Sequence, residues 1–227
     1  MRLILFDIDG TLVHSNGIGS AATRLAMQEV FGTVGSLDTF RFGGKTDWQM
    51  LLETLDGLVS LEEIECRLPE YDSVLGRHVE VLLREYVVMQ CVGAQEILNR
   101  SITMPDFMAG IMTANMPKTA YLKLQAAKYD TGVFAFGVFG SEAVTREGLP
   151  PIALQRAFQI KQYAFAPEEV IVIGDTPEDI ACAKAIGARV LSVATGRYSG
   201  AELAAYEPDA LVDNMSDSEY IWSFLNG

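Results

Sequence analysis

The sequence predicts an α/β protein, a parallel sheet that carries an inserted helical block, and three observations predict it. Arg2–Phe6 is a short, mostly aliphatic run that stops at Asp7, Asp9 and Gly10, as a strand buried on both faces does. From about Gly17 to Glu85 the apolar residues recur at helical spacing, with no strand-like alternation between them. Beyond about Val88 short apolar runs alternate with amphipathic ones, which implies parallel strands joined by crossover helices.

The elements follow in order. Ala21–Phe31 and Trp48–Leu55 have apolar residues at i, i+3 and i+4, and Val74–Val88 reads as one long amphipathic helix. Phe107–Thr113 is a predicted strand and Lys118–Lys128 a helix. Val133–Phe139 is read as a strand, and Pro151–Tyr163 as a helix with proline in its first turn. Val170–Ile173 leads through Gly174-Asp175-Thr176-Pro177 into a helix over Glu178–Ile186. Arg189–Val193 and Ala210–Val212 are short strands, and Ser216–Phe224 closes the chain as a helix. The division expected is a Rossmann-like core over 1–14 and 88–227, with a helical cap over 15–87.

The chain has 227 residues, 49% hydrophobic and 21% charged, which is enough apolar material for a sizeable core. Its net charge of −13 disfavours nucleic acid and anionic membranes as partners. It also repels an anionic substrate, so such a substrate needs a local cation. Cys66, Cys91 and Cys182 show neither CxxC spacing nor close pairing. That fits a reducing cytoplasm better than a disulfide framework or a zinc site. No apolar run reaches membrane-spanning length. A soluble cytoplasmic protein is expected, with its oligomeric state left open.

In a parallel sheet, ligands bind beyond the C-terminal strand ends. Asp7, Thr113 and Asp175 each follow or close a predicted strand, so they are expected on one rim. Asp7-Ile8-Asp9-Gly10-Thr11 also reads as turn chemistry, and Thr176 or Asp175 as a helix cap. Two acidic strand ends on one rim nevertheless gather several carboxylates, a costly arrangement without a cation. All-oxygen donors suit a hard ion such as Mg2+.

These residues resemble a known family. Asp7-Ile8-Asp9-Gly10-Thr11, Thr113, Arg146 and Gly174-Asp175-Thr176-Pro177-Glu178-Asp179 are similar to the four ordered motifs of the haloacid dehalogenase superfamily, and 15–87 looks like that family's first-type cap. The resemblance implies a magnesium-dependent phosphatase acting on a small phosphorylated metabolite through an aspartyl-phosphate on Asp7. It implies Asp9 as general acid, then base, with its backbone carbonyl on the metal. Asp175 is the implied metal ligand, and Asp179 a ligand or its supporting partner. Thr113, Ala114, Asn115 and Arg146 are the implied phosphate-binding residues.

The pattern departs at Ala114, where relatives have Gly, and at Arg146, where they have Lys. Lys161 competes with Arg146 for that role but sits inside a predicted helix. Gly43-Gly44-Lys45-Thr46-Asp47 is not a Walker loop, since no strand precedes it. Thr46 or Asp47 is read there as a helix cap, and Lys45 as a cap cation that reaches the substrate. His14 is read as a hinge or surface residue, and His78 as a packing or solvated one. Two further readings stand beside the phosphatase: a sugar-phosphate mutase of the same superfamily, and a non-catalytic binding protein on the same fold. Phosphoglycolate is the substrate suggested by similarity.

Overall fold

The computed structural model describes residues 1–227. Six parallel strands form the sheet: β1 (Arg2–Phe6), β4 (Phe107–Met112), β5 (Gly137–Val138), β6 (Val170–Gly174), β7 (Arg189–Val193) and β8 (Ala210–Val212). Their order is β5-β4-β1-β6-β7-β8. β1 lies between β4 and β6, pairing Phe6 with Ile111 on one side and Ile173 on the other. The order reverses at β1, so its C-terminal end opens a crevice between two neighbours.

The sheet is covered on both faces. Ile4 and Phe6 of β1 join a large apolar cluster with Ile111, Ile171 and Ile173, while Leu3 and Leu5 turn to a second one with Val170 and Val172. Alternate residues thus feed opposite cores, which is why the strands read as continuous apolar runs. Helices α4 (Ala94–Thr103), α5 (Pro117–Ala126) and α9 (Ser218–Asn226) contribute to the first cluster, and α6 (Leu149–Lys161) and α7 (Pro177–Ala185) to the second. A short α8 (Gly200–Ala204) precedes β8.

Between β1 and β4 the chain makes a second, two-stranded ribbon. β2 (Val13–His14) pairs antiparallel with β3 (Met89–Gln90), Val13 opposite Gln90 and His14 opposite Met89. All of α1 (Ile18–Phe31), α2 (Asp47–Thr54) and α3 (Leu61–Leu82) lies between these two strands. The helical block therefore leaves and returns through one narrow passage.

Two expected elements differ. The helix read over Val74–Val88 begins at Leu61, where Ser60 accepts a hydrogen bond from the Glu63 amide. It runs through Pro69. It ends at Leu82 because the chain must turn back to pair Met89 with His14. The strand read over Val133–Phe139 is a 3-10 turn at Thr131–Val133 followed by only two paired residues. This is the sheet edge, and its aromatic residues serve packing instead: a Cβ on Gly110 would stand 2.8 Å from the Phe136 ring. No helix is long and apolar enough to cross a membrane.

Candidate active site

The rim beyond β1 holds the expected acids. Asp7 follows β1, its amide bonded to the Ile173 carbonyl at 3.0 Å, and the residue is 4% exposed. Asp175 follows β6 and Asp179 lies in the first turn of α7. Oxygens of Asp7, Asp175 and Asp179 all lie within 4.8 Å of one another. Gly10 makes this approach feasible: at φ +78°, it would place a Cβ only 2.2 Å from Asp175 Oδ2. Gly196 closes the other side, since a Cβ there would stand 1.6 Å from the same oxygen.

Arg146 is the buried counter-charge. Its Nη2 lies 3.0 Å from Asp7 Oδ1 and also grips Asp179. Asp179 is held by its own helix cap as well: Thr176 Oγ1 donates to Asp179 Oδ2 at 2.6 Å, and the Thr176 amide donates to it at 3.1 Å. The planar guanidinium suits this forked pairing. Lys161 sits exposed at the end of α6, so Arg146 holds the position beside Asp7.

One guanidinium does not balance three carboxylates. Burial, then the neighbouring Asp179 and Asp9, pushes Asp7 up to about 7 despite Arg146. Burial, then Asp7 and Asp179, drives Asp175 well above the ordinary carboxylate range. Such a cluster, all hard oxygen donors, fits a divalent cation. The backbone carbonyl of Asp9 accepts no hydrogen bond and is a further free oxygen. Asp179 is committed to Arg146 and Thr176, which leaves Asp7 and Asp175 as the open carboxylates of the cluster.

Asp9 has a different environment. Its side chain, 35% exposed, faces the cavity. Ser15 Oγ donates to Oδ1, and Asn115 Nδ2 donates to Oδ2 at 2.8 Å. Lys123 Nζ lies 2.6 Å from Oδ2 and 2.7 Å from Asn115 Oδ1. Burial alone would raise the Asp9 carboxyl, but Lys123 and these hydrogen bonds outweigh it and hold it below the usual range. Thr113 Oγ1 accepts from Asn115 Nδ2 at 2.8 Å, which ties the end of β4 to Asp9. The Ala114 amide has no backbone acceptor, so its donor remains available and its methyl does not matter to it.

Lys123 is the residue that motif reading misses. It lies on α5, where Met116, Thr119, Ala120, Lys123 and Leu124 are all buried. A lysine in the inward stripe of an amphipathic helix is the signal that marks it.

The loop before α2 closes over this rim. Gly44 O accepts from Arg146 Nη1 at 3.0 Å. The Asp47 amide donates to Ala114 O at 2.9 Å, the Met116 amide donates to Asp47 Oδ2 at 2.7 Å, and Thr46 Oγ1 donates to Val144 O at 2.5 Å. Thr46 caps α2 by accepting from the Gln49 amide at 3.0 Å. Burial pushes Asp47 up to about 6. Lys45 reaches the cavity rim, but its Nζ is 2.6 Å from Glu53 Oε2 and 5.2 Å from the Phe40 ring centre. His14 lies in β2 at the passage between the block and the sheet. His78 faces Glu29, Nε2 to Oε2 2.9 Å. The cavity measures about 560 Å³, and only three of its 26 lining residues are hydrophobic.

Comparison with known proteins agrees with this arrangement. Residues 150–218 match a family described as HAD-hydrolase-like. The pyrophosphatase PpaX of Bacillus mycoides is 26% identical over 229 residues, covering 100% of this chain and 99% of that protein. A hydrolase from Pseudomonas syringae superimposes with a TM-score of 0.71 at 19% identity, covering 99% of each chain. A predicted phosphoglycolate phosphatase from Haemophilus somnus superimposes with a TM-score of 0.68 at 20% identity, covering 98% of each.

Proposed function

We propose that this chain is a phosphatase of the haloacid dehalogenase superfamily, a magnesium-dependent phosphomonoester hydrolase working through an aspartyl-phosphate on Asp7. One observation carries the reading: Asp7 sits at the tip of the central strand, within 4.8 Å of Asp175 and Asp179 and 3.0 Å from the Arg146 guanidinium. A nucleophile, a cation site and a phosphate clamp thus converge on one point. The substrate class is a small phosphorylated metabolite, and the acidic chain disfavours nucleic acid. We place the protein in the cytoplasm, where its three free cysteines stay reduced.

Asp7, Asp175 and the Asp9 carbonyl would hold the metal, with Asp179 fixed behind them. Bound there, Mg2+ supplies positive charge that keeps Asp7 ionised and lets an anionic phosphoryl group approach it. Thr113 Oγ1, Asn115, the Ala114 amide and Arg146 receive the phosphoryl oxygens. An Asp7 oxygen then attacks phosphorus, and the bond from phosphorus to the leaving oxygen breaks with its electron pair on that oxygen. Arrival of the phosphoryl anion opposes ionisation of Asp9, and the proton Asp9 then holds passes to the leaving oxygen. Asp9, a carboxylate again and oriented by Ser15, Asn115 and Lys123, takes a proton from the water that attacks the aspartyl-phosphate. Inorganic phosphate departs and Asp7 is restored.

Residues 15–87 act in this reading as the cap that encloses the leaving group. Lys45 stands at its rim as a cation shared with Glu53. The deciding experiment is Asp7→Asn, assayed for magnesium-dependent phosphate release from an aryl phosphate and checked for fold by circular dichroism. Folded, inactive protein is the expected result. Retained turnover removes Asp7 from the role.

A further inference from the structure

The cavity is far larger than a phosphoryl group, and the part lined by α1 and α5 has a chemistry of its own. The first turn of α1 faces it through Gly17, Gly19 and Ser20. Gly17 gives this helix no side-chain cap, and the turn has no acidic residue. The amides of Gly19 and Ser20 donate to no backbone carbonyl outside the helix. Unsatisfied amides at the start of a 14-residue helix carry partial positive charge and bind anions.

One buried side chain of α5 meets that turn, and a second lines the same cavity. Lys123 is 3% exposed. Its ammonium has three hydrogens, of which Asp9 and Asn115 accept two. Gly19 lies directly against it, because a Cβ there would stand 3.1 Å from Nζ. One turn earlier, Thr119 is 1% exposed and lines the same cavity. Its Oγ1 has no hydrogen-bond partner at all. A buried hydroxyl without a partner is costly, and a ligand group that completes it removes the cost.

We infer that Lys123, Thr119 and the first turn of α1 form a second anion subsite, and that the substrate carries a second anionic group, a carboxylate or a phosphoryl, on its leaving-group side. The inference rests on the proposed reaction at Asp7. Lys123 bonds Asp9, the residue placed at the leaving oxygen, so whatever Lys123 touches belongs to the departing fragment. Lys45 is half-exposed beside Glu53, whereas Lys123 is buried and the Thr119 Oγ1 next to it in the helix has no partner.

Binding of non-hydrolysable phosphonates tests this without turnover. Phosphonoacetate and methylenediphosphonate carry a second anion, and ethylphosphonate does not. Isothermal titration of the full chain in excess magnesium should show one of the first two binding at least about tenfold tighter than ethylphosphonate, the worth of one charge-assisted contact. Which of them gains separates a carboxylate from a phosphoryl partner. Lys123→Met should bring the ratio close to one, and Thr119→Val, which keeps the Lys123–Asp9 pair, should reduce it. Equal affinities for the three probes, no binding of any, or a ratio unchanged in both variants overturns the inference. Failure of the Asp7 reading shows separately, as absence of hydrolysis, because the affinity ratio needs no chemistry.

Discussion

Arg146 joins Gly44 to Asp7: one guanidinium nitrogen donates to the Gly44 carbonyl at 3.0 Å while another stands 3.0 Å from the Asp7 carboxylate. The loop of the helical block and the proposed nucleophile thus share one side chain. In the proposed reaction, the position of the loop and the placement of the Arg146 cation are therefore coupled. Arg146→Lys keeps the charge but cannot span Asp7, Asp179 and Gly44 together. We expect kcat/KM to fall roughly tenfold to a hundredfold, with much of the loss in kcat. Steady-state kinetics on an aryl phosphate would measure it, and an unchanged kcat would separate the loop from the chemistry.

Arg146→Met removes the one buried cation among three carboxylates. Breaking a buried pair by deleting one partner costs about 3–5 kcal/mol. Magnesium should recover more of that stability in the variant than it adds to the wild type, because it supplies the missing charge. Thermal unfolding of both proteins with magnesium and with excess chelator checks this, and equal shifts would deny that the ion and the guanidinium answer the same charge.

Chelation of magnesium should stop turnover and lower the melting temperature of the wild type. An ion that binds only the folded chain stabilises it by about 2.7 kcal/mol at a hundredfold excess over its dissociation constant. Asp175→Asn should abolish most of this metal-dependent shift. Full activity after exhaustive chelation would exclude the mechanism.

Asp9→Asn should harm alkyl phosphates more than aryl phosphates, since an aryl alcohol departs with little help from a proton. A loss greater by about tenfold or more on the alkyl ester would mark Asp9 as the acid. Equal losses would assign it to holding Lys123 and Asn115 in place.

Asp47 gives a pH signature. Burial pushes its carboxyl from the ordinary 3.8 up to about 6, so the folded chain keeps this proton longer than the unfolded one. Its stabilising contribution is full below about pH 4 and is lost as pH rises towards 6 and beyond. The difference carries on the order of 3 kcal/mol at neutral pH. Asp47→Asn can still accept the Met116 amide but has no charge to bury. The melting-temperature advantage of Asp47→Asn over wild type should therefore grow between about pH 4 and 6 and level off above. A pH-independent difference would show that ionisation of Asp47 costs the fold nothing.

How far the sequence discloses this site depends on where each residue stands in the chain. Asp7, Thr113 and Asp175 are legible because strand ends announce themselves as apolar runs followed by breakers, and parallel packing brings such ends to one rim. β7 and β8 fall where the apolar runs place them. α4 escapes the sequence reading although Ala94, Ile97, Leu98 and Ser101 are buried at helical spacing. Lys123 is hidden for a related reason: its helix is legible, but its role depends on what the inward face meets, which is Asp9 from more than a hundred residues away. The bonds from Gly44, Thr46 and Asp47 to the core each pair a side chain with a backbone group far along the chain. No periodicity encodes contacts of that kind.

The pairing of Val13 with Gln90 has a consequence for descent. Exit and re-entry lie side by side, so replacing everything between them leaves the strand order and the crossover handedness untouched. Any replacement must still supply an acceptor for Arg146 and a partner for Asp9, the parts played here by Gly44 and Ser15. A lineage built this way diversifies by transplant, and the acids at the strand tips record its ancestry while the interposed stretch records its occupation.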